Sequence, residues 1–285
     1  MYEKSNAPAV DRLVVPGHPI RLEFLHCQPD GPRPSRGRPI LFLHGAFCGA
    51  WVWAEHFMPW FAAHDRECWA LSLRGHGGSE GAIRNAVIED YVEDLEAAMD
   101  SFTAPPVIVA HSMGGYVAMR WLERPSAQAA ALVLMGSVPH TGLGGPTLSM
   151  ATFETELMAE ISLLVGNPKD AAGPETLQRA MFSDHIDRRK LARYIKLARQ
   201  ESLAATLEMQ VAQPIDAATL RAKQPCLVLG AQEDRLIPKA FVRATGRALG
   251  VSARILPDIG HAMMLDHYWE KSARIIDHWL GDQGL

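Results

Sequence analysis

The chain has 285 residues, a length that suits one large α/β domain or one domain carrying an inserted subdomain. Hydrophobic residues make up 48% and charged residues 21%, which excludes disorder as the main state. Lys plus Arg number 28 against 32 for Asp plus Glu; with a net charge of −4 and no run of five basic residues, nothing offers nucleic acid or an anionic membrane an electrostatic grip.

Residues 1–8 carry no apolar signal core, so a cytoplasmic protein is expected. The longest apolar stretch, Ala129–Met135, falls far short of the roughly 18 residues that span a bilayer. Cys27, Cys48, Cys68 and Cys226 form no CxxC pair and read as reduced, mostly buried thiols. No HExxH occurs, and the spacing of His261 and His267 does not suit one helix face, so no metal is expected.

In chain order, Leu13–His18 and Ile20–Phe24 alternate around a Pro-Gly turn and predict a hairpin. Pro29–Pro39 reads as a surface loop. Apolar runs then predict strands at Pro39–Leu43, Cys68–Leu73, Pro106–Ala110, Ala131–Met135, Pro225–Leu229 and Ala253–Leu256. Helical patterns lie between them at Ala50–Ala63, Asn85–Phe102, Gly114–Glu123, Lys239–Leu249 and Ala262–Leu280. Continuous apolar strands alternating with amphipathic helices predict an α/β fold, a mostly parallel sheet covered on both faces.

The rhythm breaks once. Residues 139–214 show only helical patterns, Thr152–Leu164, Pro174–Phe182 and Asp187–Met209. They predict a helical cap over the C-terminal edge of a core formed by 1–138 and 215–285, where open α/β sheets bind ligands. The cap's Leu157, Met158, Ile161, Leu164, Ile195, Leu203, Leu207 and Met209 are expected to line an apolar pocket.

The segment Val107–Gly115 carries the chemistry. A strand runs into Ser112 and a helix follows at once, the setting that gives a G-x-S-x-G pattern its meaning. Such a turn needs almost no side chain two residues either way; Gly114 meets that, and Ala110 stands in for the first glycine. A serine nucleophile needs a base and an orienting acid, which in this architecture follow in the order acid, then histidine. Asp234 occupies the loop after Cys226–Gly230 in a G-x-x-x-D-x-x-x-P arrangement, with Glu233 as the competing acid. His261 ends the next strand and is the expected base; His267 reads as a residue of the following helix. Two backbone N–H donors should face the developing oxyanion, those of Met113 and Ala46. Gly45 and Phe47 shape that second loop, His44 braces it by hydrogen bonds, and His111 and Gly114 shape the serine turn. Leu73–Ser79 lacks the dinucleotide and Walker spacings and reads as a rigid loop beside the site, with no direct role for His76.

The HG-A-F loop, the S-L-R-G-H-G-G-S segment, the A-H-S-M-G-G turn, Asp234 and His261 together resemble the α/β-hydrolase superfamily over roughly Pro39–Leu280. Within it the text is most similar to serine esterases and to lysophospholipase- or monoacylglycerol-lipase-like enzymes. The resemblance implies a sheet of eight strands, a cap after the sixth, no cofactor and a two-step acyl-enzyme route. Ser72 departs from it, since an aspartate often precedes R-G-H-G. Haloalkane dehalogenases and epoxide hydrolases use an aspartate where this chain has Ser112, and plant-type hydroxynitrile lyases tend to lose the glycine held here by Gly45. The expected substrate is a small ester with a largely apolar acyl group. A thioesterase or acyltransferase, a lactonase, a C–C bond hydrolase, a perhydrolase or a receptor on the same scaffold are the alternatives.

Overall fold

The runs Ile40–Leu43 (β3), Val107–His111 (β5), Ala131–Met135 (β6) and Cys226–Ala231 (β7) are buried at every residue, because helices cover both sheet faces. The computed structural model describes residues 9–16, 19–29, 35–166, 174–211 and 213–285. β1 (Asp11–Val14) and β2 (Glu23–Cys27) form the predicted hairpin, with Val14 opposite Glu23. With β4 (Cys68–Leu71) and β8 (Arg254–Leu256) they complete an eight-stranded sheet in the order β1-β2-β4-β3-β5-β6-β7-β8. From β4 to β8 every pairing is parallel.

The two-residue period of a strand sorts the core into two layers. Leu41, Leu43, Ile108 and Leu134 join the cluster under α3 (Ile88–Met99) and α4 (Met113–Leu122). Ile40, Phe42, Val109 and Val133 join the opposite one, under α1 (Trp51–Ala54), α2 (Phe57–Ala63) and α12 (Trp269–Asp282). Phe42 stacks on Trp53 with ring centroids 4.8 Å apart. Removing its ring would cost about 3–5 kcal/mol, the transfer loss plus the cavity left behind.

Between β6 and β7 the chain forms α5 (Gly144–Phe153), α6 (Thr155–Gly166), α7 (Pro174–Met181), α8 (Arg188–Leu197), α9 (Leu203–Gln210) and α10 (Ala217–Lys223), with no strand among the described residues. α11 (Lys239–Ala248) links β7 to β8. No helix among the described residues is long and apolar enough to cross a membrane.

Among the predicted helices that are shorter or divided, three have a clear local reason. Ala50–Ala63 splits at Glu55–His56, which leaves Pro59 in the first turn of α2, where its missing N–H costs nothing. Asp187–Met209 splits because Glu201 is drawn into the interior and Ser202 starts α9, its Oγ accepting the Ala205 N–H at 3.2 Å. Ala262–Leu280 begins only at Trp269: the Asp266 carboxylate turns back to accept backbone N–H groups, competing with the helix. His267 therefore precedes α12 and is exposed, with its ring edge-on to Tyr268.

Candidate active site

Ser112 sits between β5 and α4 at φ 51°, ψ −121°, a conformation that L residues avoid and that the surrounding packing must enforce. A side chain at Gly114 would run into the carbonyl oxygen of His44. Ala110 escapes that conflict, because its methyl is buried in the apolar cluster under α4. A Cβ on Gly45 would lie 2.8 Å from Ser112 Cβ and 2.9 Å from His111 Nδ1, so the glycine lets the β3 loop touch the serine turn.

The structure brings Ser112, His261 and Asp234 together from three strand ends. Ser112 Oγ is 3.0 Å from His261 Nε2, and His261 Nδ1 is 2.8 Å from Asp234 Oδ2. The other Asp234 oxygen accepts the N–H groups of Leu236 and Ile237 at 2.9 and 2.8 Å, which fixes the carboxylate against rotation. Asp234 and His261 are buried and Ser112 is half-buried, so the hydroxyl is the accessible end of the chain. Glu233 donates its backbone N–H to the Ile259 carbonyl in the loop after β8, and Asp234 is the carboxylate at His261.

Around the three, each buried histidine holds a loop. His44 Nδ1 donates to the Gly45 carbonyl at 2.8 Å, while Nε2 accepts the Leu73 N–H at 3.1 Å. Both nitrogens serve a neutral ring, and burial, with His76 alongside, pushes its pKa down to about 3. His111 Nε2 donates to the His261 carbonyl at 3.0 Å; burial first, then His261, drives its pKa well below the usual value. His76 stands between the Arg74 carbonyl and the Glu201 carboxylate, 3.0 Å from each.

Of the loop amides, the Phe47 N–H is taken by Glu201 at 3.3 Å. The N–H groups of Ala46 and Met113 have no acceptor among the described residues. Phe47 itself sits at φ 65°. Cys48 does not compete as a nucleophile, since burial and the nearby Glu201 charge push its thiol up to about 12. Ser72 Oγ accepts the Ala50 N–H at 2.8 Å and donates to Glu23 Oε2 at 2.6 Å, so β2 delivers the carboxylate that Ser72 lacks. Among the described residues no cluster of three or more His, Cys, Asp or Glu could hold a metal.

Three contributors are absent from the sequence reading. Gly136, at φ 48° after β6, takes the chain past Asp234 and His261 in a conformation that favours glycine; a Cβ there would stand in ordinary contact, 3.4 Å from Asp234 Oδ2 and from His261 Nδ1. A glycine straight after a continuous apolar strand was the available signal. Asp266 and Glu201 carry no local signal at all. A cleft of about 510 Å³ opens beside Asp234, with Met150 and Phe182 as apolar wall and Glu154, Arg179, Asp184 and Arg235 as charged rim. The expected apolar lining is only partly inward: Leu157 and Met209 are buried, Leu203 and Leu207 face solvent, and the Leu164 side chain lies outside the described residues.

The Alpha/beta hydrolase family matches residues 40–275. The chain belongs to that family. This α/β hydrolase is 30% identical to the monoacylglycerol lipase of Mycolicibacterium smegmatis over 66% of its own length and 68% of the lipase. It is 26% identical to the dihydrolipoyllysine-residue acetyltransferase component of the acetoin cleaving system of Pseudomonas putida, over 81% of its own length and 60% of that protein. The chain thus spans less than two thirds of this second relative. Among solved structures, a thermophilic esterase from Thermogutta terrifontis superposes with a TM-score of 0.70 at 20% identity, covering 97% of this chain and 100% of the esterase. At that identity the likeness concerns the fold.

Proposed function

We propose that this α/β hydrolase cleaves a carboxylic ester with a largely apolar acyl group through an acyl-enzyme. The reading rests on one observation, the unbroken chain from Ser112 Oγ through His261 to Asp234, at 3.0 and 2.8 Å. Ser112 Oγ attacks the ester carbonyl carbon while His261 Nε2 takes its proton. The carbonyl oxygen becomes an oxyanion held by the N–H groups of Ala46 and Met113, each such donor being worth about 10²–10³ in rate. Collapse expels the alcohol, which receives the proton from His261. Water then enters by the same route, His261 takes one of its protons, and the carboxylic acid leaves as Ser112 is restored. Asp234 keeps Nδ1 protonated, so that Nε2 is the basic nitrogen, and opposes the charge His261 acquires.

Residues 139–214 act as a helical cap over a core of 1–138 and 215–285. The relative named as a monoacylglycerol lipase and the esterase of like fold support ester chemistry. The test is steady-state hydrolysis of p-nitrophenyl esters from acetate to palmitate, wild type beside Ser112→Ala. Turnover should show a chain-length optimum and fall at least about 10⁴-fold in the variant. Unchanged turnover in Ser112→Ala, or none on any ester from folded wild type, overturns the reading.

A further inference from the structure

Glu201 lies between α8 and α9, far in sequence from the serine turn, yet its side chain is fully buried. Its Oε1 accepts the Tyr91 hydroxyl at 2.8 Å and the Ser202 N–H at 2.7 Å. Its Oε2 accepts His76 Nε2 at 3.0 Å and the Phe47 N–H at 3.3 Å. Two residues earlier, the Arg199 N–H donates to the Phe47 carbonyl at 2.9 Å. Both backbone polar groups of Phe47 are thus held by the segment 199–201, at a residue whose positive φ costs free energy unless its surroundings enforce it.

A buried carboxylate is retained only when charge and donors offset its desolvation. Here burial pushes the Glu201 carboxyl up, but the His76 bond and charge, with the Ser202 and Tyr91 bonds, outweigh it and hold it below the usual range. Both nitrogens of His76 face oxygen atoms, Arg74 O and Glu201 Oε2, 3.0 Å from each. The His76–Glu201 contact joins the insertion to the Leu73–Ser79 loop, and through Phe47 to the loop carrying Ala46.

We propose that Glu201 is a positioning residue: by clamping Phe47 it fixes the neighbouring Ala46 N–H where the oxyanion forms. This rests on the serine-hydrolase reading above. The insertion then completes the oxyanion site of the core, besides covering it. Because the ground-state ester makes weaker use of that N–H than the transition state does, losing the clamp acts on kcat more than on KM.

Glu201→Gln keeps the shape and removes one acceptor. If its amide NH₂ faces the Phe47 N–H, that donor loses its partner; if it turns over, the Ser202 N–H does. The expected result is a kcat lower by about 10- to 100-fold with KM within about twofold, the scale of a misplaced donor. Phosphonylation of Ser112 by a fluorophosphonate, in which Oγ displaces fluoride, should slow by a similar factor, measured by mass of the labelled peptide. Should Glu201→Gln fail to fold, Glu201→Asp keeps the charge opposite His76 but withdraws the oxygen from Phe47, with the same expectation. Tyr91→Phe removes a donor to the other oxygen and should lower stability while leaving kcat and the labelling rate alone.

The labelling arm separates the two readings. Wild type that labels at Ser112 but turns over no ester defeats the ester reading; slower labelling of Glu201→Gln then still supports the clamp. Folded Glu201→Gln and Glu201→Asp that both keep wild-type kcat and labelling rate overturn the clamp, since the shorter side chain withdraws the oxygen from Phe47 in either orientation, as does a loss shared equally by Tyr91→Phe. Wild type that never labels at Ser112 overturns it too, since there is then no oxyanion site to position.

Discussion

The carboxylate of Asp266 accepts the backbone N–H of Gly260 at 2.8 Å, one residue before His261. The same oxygen accepts the Ser183 N–H at 2.8 Å from the helical insertion. Its partner oxygen accepts the Ser183 hydroxyl at 2.7 Å and the His267 N–H at 2.6 Å. On the other side of His261, the Ala262 N–H donates to the Met181 carbonyl at 2.7 Å. The loop bearing His261 is therefore pinned to residues 181–183 on both sides, as the Ala46–Phe47 loop is pinned to 199–201.

Asp266→Asn tests that pin. The amide replaces one acceptor with a donor among four donors, in a site of 1% exposure. The expected cost is about 3 kcal/mol, read as a drop in Tm of roughly 5–10 °C. Ester turnover should also fall in the folded variant, because Gly260 no longer fixes His261. A melting curve within a degree of wild type would contradict this account.

Gly136→Ala separates strain from packing. At φ 48° the new methyl costs about 1–2 kcal/mol by backbone conformation alone. It also arrives 3.4 Å from both Asp234 Oδ2 and His261 Nδ1. Stability by urea denaturation should fall by that amount, with kcat within about twofold of wild type, because the methyl meets the pair only at ordinary contact distance. Full stability with full activity would show that the strand end can relax without disturbing the pair.

Ser112, Asp234 and His261 were legible because each closes a short apolar strand and heads a loop, a pattern read locally along the chain. The brackets that hold them were not. Glu201 falls inside what reads as a single helix from Asp187 to Met209, and nothing beside it distinguishes it from Glu208, which in the fold accepts the Ile88 N–H instead. Asp266 likewise reads as one more acid on a helix starting at Ala262. In both cases the side chain's tertiary partners overrode helical periodicity, and the break in the helix is the trace of the residue's task. The strand layers, by contrast, followed from hydrophobic runs alone, since burial on both faces leaves little else to specify.

The buried neutral histidines predict an acid limb. His44 is held down to about 3 in the folded protein against an ordinary 6.5, by burial and then by His76; His111 is likewise lowered well below the usual value by burial and then by His261. Below 6.5 the unfolded chain takes up protons at these sites while the folded one does not. Stability is therefore complete above the unfolded value and falls as the pH drops, by about 1.4 kcal/mol per pH unit for each such histidine. Urea denaturation at intervals between pH 7 and 5 should show this slope, and His44→Gln should be shallower by about one proton. Parallel slopes for the two proteins would mean that His44 is protonated when folded.

Glu23 and Ser72 allow a closing test of how this chain replaced the aspartate expected before R-G-H-G. Ser72 Oγ bridges Glu23 Oε2 and the Ala50 N–H, and Glu23 Oε2 also accepts the Gly78 N–H at 2.8 Å. Restoring the expected acid as Ser72→Asp sets a second carboxylate against the first in a buried site. One of the two must then bind a proton or both must repel, at a cost of about 3 kcal/mol. Glu23→Gln alone should also destabilise, since the Ser72 and Gly78 donors then face an amide. The double variant Ser72→Asp/Glu23→Gln should recover most of the loss, because a carboxylate at 72 can take the Ala50 N–H and accept from the amide. A double-mutant cycle by urea denaturation would then give a favourable coupling of roughly 1–3 kcal/mol. Additive losses would show that Glu23 does not stand in for the missing aspartate, and that the loop is held by backbone contacts instead.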